Sequence, residues 1–160
     1  MASKIYWLHE FAGAKLGIMA RPRGGDWLED EIANLKKQNV GLLVSLLEAS
    51  EVYELELQNE EEICKEHNIE FINFSIRDRS IPTDKVKTNL LVQLLENRIE
   101  KKQAIVIHCR MGIGRSSIIA GCVLLKTGQK AIDILNHISK VRGLKVPDTD
   151  EQIKWLKNHE

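Results

Sequence analysis

Cys109 and Arg115 stand six positions apart in Val106-Ile107-His108-Cys109-Arg110-Met111-Gly112-Ile113-Gly114-Arg115-Ser116-Ser117. The β-branched run Ile105-Val106-Ile107 leads in, and an apolar, helix-like stretch follows. A strand that turns into a helix through about six residues leaves several backbone N–H groups unpaired, and the helix N-terminus adds partial positive charge. Residues 110–115 contain no proline, so every one of them can donate, and Gly112 and Gly114 let the chain curl. Arg115 adds a planar fork that matches two oxygens of a phosphoryl group. In such surroundings a thiol pKa falls from about 8.5 to between about 3.5 and 7.5. The arrangement predicts a phosphate-binding loop, residues 110–115, with Cys109 as a thiolate nucleophile at its start. Alone, the pair is weak: a strand-end cysteine is ordinarily a small buried apolar residue. Its place in His-Cys-x-x-Gly-x-x-Arg-Ser, between strand and helix, favours the chemistry.

A thiolate that attacks a phosphate ester must expel an oxygen, and a positioned carboxylic acid can protonate it. Ser75-Ile76-Arg77-Asp78-Arg79-Ser80-Ile81-Pro82 supplies a candidate in Asp78. It follows the strand-like run 69–74 and precedes a helix start at Thr83-Asp84. The alternative is a solvated turn aspartate, or one paired with Arg77 or Arg79. Asp84 competes, but reads better as a first-turn helix residue favourable to the dipole.

The segment His108-Cys109-Arg110-Met111-Gly112-Ile113-Gly114-Arg115-Ser116 resembles the signature of the cysteine-dependent protein tyrosine phosphatase superfamily. The short chain makes it similar to an atypical dual-specificity phosphatase. The resemblance implies a metal-independent hydrolase, without cofactor, that works through a phosphocysteine intermediate. Cys109 is then the nucleophile, Asp78 the acid and then the base, and Ser116 the hydroxyl that eases departure of the thiolate. His108 is implied as a supporting residue that fixes the loop, with an ordinary strand-end histidine as the alternative. Near Val146-Pro147-Asp148-Thr149-Asp150-Glu151-Gln152, Thr149 is a plausible helix N-cap. Some relatives place a glutamine near the catalytic water here; Gln152 fits that pattern, or is an exposed helix residue. Ser117 stands where many relatives carry glycine, and Arg110 and Met111 shape the loop's mouth. The loop has no lysine, which argues against a lipid headgroup as substrate.

Composition sets the frame. The 160 residues suit one domain spanning 1–160, with formal net charge zero, 43% hydrophobic and 29% charged residues. Nothing overall suggests a nucleic-acid or membrane partner. Arg77, Arg79, Arg110 and Arg115 surround the expected site, as an anionic substrate requires. The glutamates at 48, 51, 54, 56, 60, 61, 62, 66 and 70 read as a solvated helix face. Cys64, Cys109 and Cys122 have neither metal-ligand nor disulfide-framework spacing. No signal-peptide pattern opens the chain, so a reducing cytoplasm is expected. Cys64 and Cys122 fall in helix-like stretches and are expected in the core rather than in a disulfide with Cys109.

Strand-like and helix-like segments alternate. Strands are expected at 5–8, 17–21, 42–47, 69–74 and 105–107. Helices are expected from Asp26, over 59–66, from Thr83, over 118–125 and over 131–141. Val86, Leu90, Leu91, Leu94 and Leu95 read as the buried stripe of the Thr83 helix. This predicts an α/β fold with a mainly parallel sheet of four to five strands and helices on both faces. The nucleophile would lie at a strand's carboxyl end, where such sheets place ligands.

The expected function is hydrolysis of phosphomonoesters, with a phosphorylated protein or peptide as partner and a monomer as the working unit. Two rivals use parts of the same loop: a rhodanese-type sulfurtransferase, which needs no general acid, and a non-catalytic phosphate-binding module, which needs no nucleophile.

Overall fold

The computed structural model describes residues 2–160. Its sheet has five strands: β1 (Tyr6–Phe11), β2 (Ala14–Ala20), β3 (Val40–Ser45), β4 (Glu70–Asn73) and β5 (Ala104–Cys109). They lie in the order β1-β2-β5-β3-β4. β1 and β2 form an antiparallel hairpin closed by Ala12-Gly13, with Gly13 at φ +88°. The pairings β2–β5, β5–β3 and β3–β4 are parallel. Parallel strands need crossovers, and α1 (Leu28–Lys37), α2 (Ala49–Glu54) with α3 (Glu60–Glu66), and α4 (Lys85–Glu100) supply them; α5 (Arg115–Leu125), α6 (Ala131–Arg142) and α7 (Asp150–Lys157) follow the last strand.

Strand periodicity sorts the core into two layers. On β5, Ile105, Ile107 and Cys109 face a cluster built with α4, α5, α6 and α7. Val106 belongs to the opposite cluster, with Leu28, Ile32 and Leu35 of α1 and Cys64 of α3. Leu42, Val44 and Leu43 of β3 divide in the same way. Both faces of the sheet are covered, which is why β3 and β5 read as continuous apolar runs. α5 is buried from Arg115 through Leu124. Cys64 and Cys122 are both buried, and burial pushes each thiol up to about 12.

The structure departs from expectation at three places. α2 lies outside the expected helices, because its sequence carries no apolar stripe. The buried face of α4 is Thr88, Leu91, Val92 and Leu95, whereas Val86 and Leu90 are exposed. A leucine-rich stretch offers more than one stripe, and packing on the sheet selects the buried one; the Asp84 carboxylate starts the helix by accepting from Lys87 N–H at 3.0 Å. Asp84 is thus the cap itself rather than a first-turn residue. No helix among the described residues is long and apolar enough to cross a membrane.

All four parallel strands deliver their carboxyl ends to one edge of the sheet. Arg21 follows β2, Leu46 to Glu48 follow β3, Phe74 to Asp78 follow β4, and residues 110–114 follow β5. This edge is held by the core beneath it. Leu95→Ala, at a fully buried site in α4, is expected to cost about 2–5 kcal/mol in urea unfolding. Activity per folded molecule should stay near that of the parent.

Candidate active site

Cys109 ends β5 at 3% exposure, and α5 begins six residues later at Arg115. Between them Gly112 adopts φ +67°, a conformation that favours glycine. A Cβ there would meet the Met19 carbonyl carbon at 2.6 Å and Ala20 N at 2.7 Å, because the loop folds back onto the end of β2. At Gly114 a Cβ would lie 2.4 Å from Asp148 Oδ2 and 2.9 Å from the Gln152 amide. The Cys109 Sγ sits 3.3 Å from Ser116 Oγ, in the first turn of α5. The sulfur therefore lies at a helix N-terminus, where the dipole favours negative charge. Among the described residues, no backbone N–H from residue 111 to 117 donates to a protein acceptor. Ser117 Oγ is buried and also lacks a partner.

Arg115 is 2% exposed and almost fully committed. Its Nη1 donates to Glu51 Oε1 at 2.7 Å and to the Ile76 carbonyl at 2.9 Å. Its Nη2 donates to Glu51 Oε2 at 2.9 Å and to Asp78 Oδ1 at 3.0 Å. One guanidinium thus joins α5, α2 and the segment after β4. Burial works against its charge, but the Glu51 hydrogen bond and the charges of Cys109, Glu51 and Asp78 hold its pKa above the ordinary arginine value. Burial alone would push the Glu51 carboxyl up. Hydrogen bonds from Arg115 and Glu48 N–H, with the charges of Arg115 and Arg110, outweigh it and hold Glu51 below the usual carboxylate range.

The Asp78 side chain is about half exposed. Arg110 turns away from the loop to Glu54, at 3.2 Å, and comes within 3.7 Å of Glu51. Met111 is exposed at the mouth. His108 points through the opposite face of the sheet. Its Nε2 meets Glu60 Oε2 at 2.7 Å and its Nδ1 reaches the Cys109 carbonyl at 3.3 Å, and both side chains are buried.

Two further expectations are corrected here. The glutamate-rich region is not wholly a solvated face: Glu51 and Glu60 are buried and paired with Arg115 and His108. The spacing Glu48-x-x-Glu51, resembling a capping box at the carboxyl end of a buried strand, was the available signal for a helix there. Gln152 is not an exposed helix residue; it is fully buried. Its Oε1 accepts from Asp148 and Thr149 N–H at 3.0 and 3.2 Å, and its Nε2 donates to the Ser80 carbonyl at 3.0 Å. Its amide is spent on capping α7 and on bracing the Asp78 segment.

Residues 17–129 match the family model described as "Tc-R-P: Polymorphic toxin system, DSP-PTPase phosphatase". The chain belongs to this family. It is a cysteine-dependent phosphatase of the dual-specificity kind within the protein tyrosine phosphatase superfamily. Among solved structures, it is similar to kinase associated phosphatase with its catalytic-site cysteine replaced by serine. That match has a TM-score of 0.88 at 19% identity and covers 98% of this chain and 93% of that one. PTPMT1 in complex with PI(5)P gives 0.78 at 20% identity, over 96% and 94%. A putative protein tyrosine phosphatase from Leishmania major gives 0.77 at 16% identity, over 100% and 99%. At these identities the likeness speaks for the shared fold. No curated relative matches the chain.

Breaking the buried pair should be costly. Glu51→Ala is expected to lose about 3–5 kcal/mol near neutral pH, because it leaves the Arg115 charge under-compensated. The Glu51 carboxyl is held below its ordinary value of 4.5, so its contribution is present above that pH and disappears as pH falls through the folded-state value. Urea titrations at several pH values should show parent and variant converging in acid.

Proposed function

We propose that this phosphatase acts through a phosphocysteine on Cys109, with Asp78 as general acid and then general base. The Cys109 thiolate attacks phosphorus, forming the S–P bond as the ester P–O bond breaks. The leaving oxygen takes its proton from Asp78. Arg115, through its Nε–H, which no protein acceptor takes, and the N–H groups of Arg110, Met111, Gly112, Ile113 and Gly114 hold the equatorial oxygens and stabilise their charge in the transition state. In the second step water attacks phosphorus, Asp78 takes its proton, and the S–P electron pair returns to sulfur. The Ser116 hydroxyl then donates to the departing thiolate. His108 and Glu60 support the strand end, and Gln152 supports the Asp78 segment.

The observation that carries this reading is the 3.0 Å contact between Asp78 Oδ1 and Arg115 Nη2. It brings a carboxyl group from a separate segment to the cation that follows the thiol loop. A sulfurtransferase or a pure phosphate binder has no use for that acid.

The substrate class we propose is phosphotyrosine, with phosphoserine or phosphothreonine, in a protein or peptide. The proposed enzyme is one domain over residues 1–160, a cytoplasmic monomer that needs no metal, cofactor, nucleic acid or membrane. PTPMT1, one of the similar structures, holds PI(5)P, so an inositide belongs among the test substrates. Relative kcat/KM on phosphotyrosine and phosphothreonine peptides, an inositide and a 5′-triphosphorylated RNA ranks these classes. The proposal expects the phosphopeptides to lead, and a leading inositide or RNA would displace them.

Cys109→Ser should lower aryl phosphate hydrolysis by about 10³-fold or more while inorganic phosphate still binds. Hydrolysis that survives in the purified variant would remove Cys109 from the nucleophile's role. Asp78→Asn should slow a poor leaving group by about 10²–10⁴-fold and a good one far less. Equal slowing of both would point to another acid.

A further inference from the structure

We infer that Arg142 is a positioning residue of the phosphoryl-binding loop. It is the last residue of α6, next to Gly143, which ends that helix at φ +74°. A cation in the last turn ordinarily serves the carbonyls of its own helix. Arg142 instead reaches across to the loop. Its Nε donates to the Gly112 carbonyl at 2.8 Å and its Nη2 to the Met111 carbonyl at 3.2 Å. Its guanidinium carbon lies 4.1 Å from the centre of the Tyr6 ring, at the start of β1. No carboxylate among the described residues lies within ion-pair distance of it.

The consequence follows from peptide geometry. In a trans peptide the C=O of one residue and the N–H of the next point in opposite directions. A carbonyl of Met111 fixed toward Arg142 turns the Gly112 N–H the other way. The Gly112 carbonyl does the same for Ile113 N–H. Neighbouring peptides are held alike: the Arg110 carbonyl accepts from Arg21 N–H at 3.2 Å, and the Gly114 carbonyl from Ile118 N–H at 3.2 Å. These two contacts are backbone bonds that many sequences could make. The middle two peptides depend on one side chain. A guanidinium fork suits that task because it meets two oxygens in a fixed plane. The tyrosine face keeps the fork from swinging into solvent. Donation from a cation to the carbonyl also polarises the peptide and strengthens its N–H as a donor.

This inference rests on the reading that the loop binds a phosphoryl group. It is tested with Arg142→Ala, Arg142→Lys and Tyr6→Leu, measuring kcat and KM on an aryl phosphate, competitive inhibition by inorganic phosphate, and thermal unfolding. Arg142→Ala should lower kcat/KM by about 10²-fold, mostly in kcat, because misaimed donors fail in the transition state. Phosphate inhibition should weaken by about tenfold with the unfolding midpoint close to the parent's. Arg142→Lys should recover only part of the loss, since it restores charge without the fork. Tyr6→Leu should give a milder loss in the same direction, and it serves as the test if Arg142→Ala does not fold. Phosphate affinity and kcat/KM unchanged in Arg142→Ala would overturn the inference. So would a loss that Arg142→Lys restores fully, or one explained by a smaller folded fraction alone. A parent enzyme that binds no phosphate would instead sink the phosphate reading of the loop itself.

Discussion

One buried cation organises this molecule. Arg115 must lie at the end of the thiol loop, yet a lone guanidinium cannot be left away from water without partners. Glu51 answers that requirement with both carboxylate oxygens, and the carbonyls of Leu46 and Ile76 take up further donors. The answer dictates geometry. α2 must begin just after β3 so that Glu51 arrives at the right depth, and the chain after β4 must pass close enough to present Ile76 and then Asp78. Replacing such a pair by apolar residues is often neutral for stability, so its value here lies in specifying where three segments meet.

The second constraint is a supply of free N–H donors. Turning a strand directly into a helix creates the donors of residues 111–117, and pinning the loop's carbonyls outward keeps them aimed away from protein acceptors. Each pin comes from a different element: His108 on the Cys109 carbonyl, Arg21 on that of Arg110, Arg142 on those of Met111 and Gly112, and α5 itself on that of Gly114. The price is a loop with almost no freedom of residue choice at Gly112, whose missing side chain lets it lie on β2. The same bargain places Met111 outside, where it contributes to the mouth rather than to the cradle.

Much of this was legible in the chain. The mainly parallel sheet of four to five strands and the position of the thiol loop followed from apolar runs bounded by helix-like stretches. Cys109, Ser116 and Arg115 could be read together because they are close in sequence. What escaped the reading depends on contacts between distant segments. Glu51 and Glu60 look like their solvated neighbours, and only tertiary placement opposite Arg115 and His108 distinguishes them. Arg142 is an unremarkable helix-end cation until the loop folds beside it. Gln152 was read for its type, but the structure spends its amide on a cap. The phase of α4 is not fixed by its sequence, because its leucines allow two stripes and burial chooses between them.

The central claim is that sulfur carries the phosphoryl group between the two steps. Acid quenching of the enzyme during turnover, followed by mass spectrometry of its peptides, tests this without reference to any variant. The account predicts a phosphoryl group on the peptide containing Cys109, released by iodine, which oxidises the sulfur of an S–P bond, and retained in hydroxylamine, which cleaves acyl phosphates. Steady turnover with no phosphorylated peptide under conditions that preserve thiophosphates, or a phosphoryl group on a different residue, would contradict it.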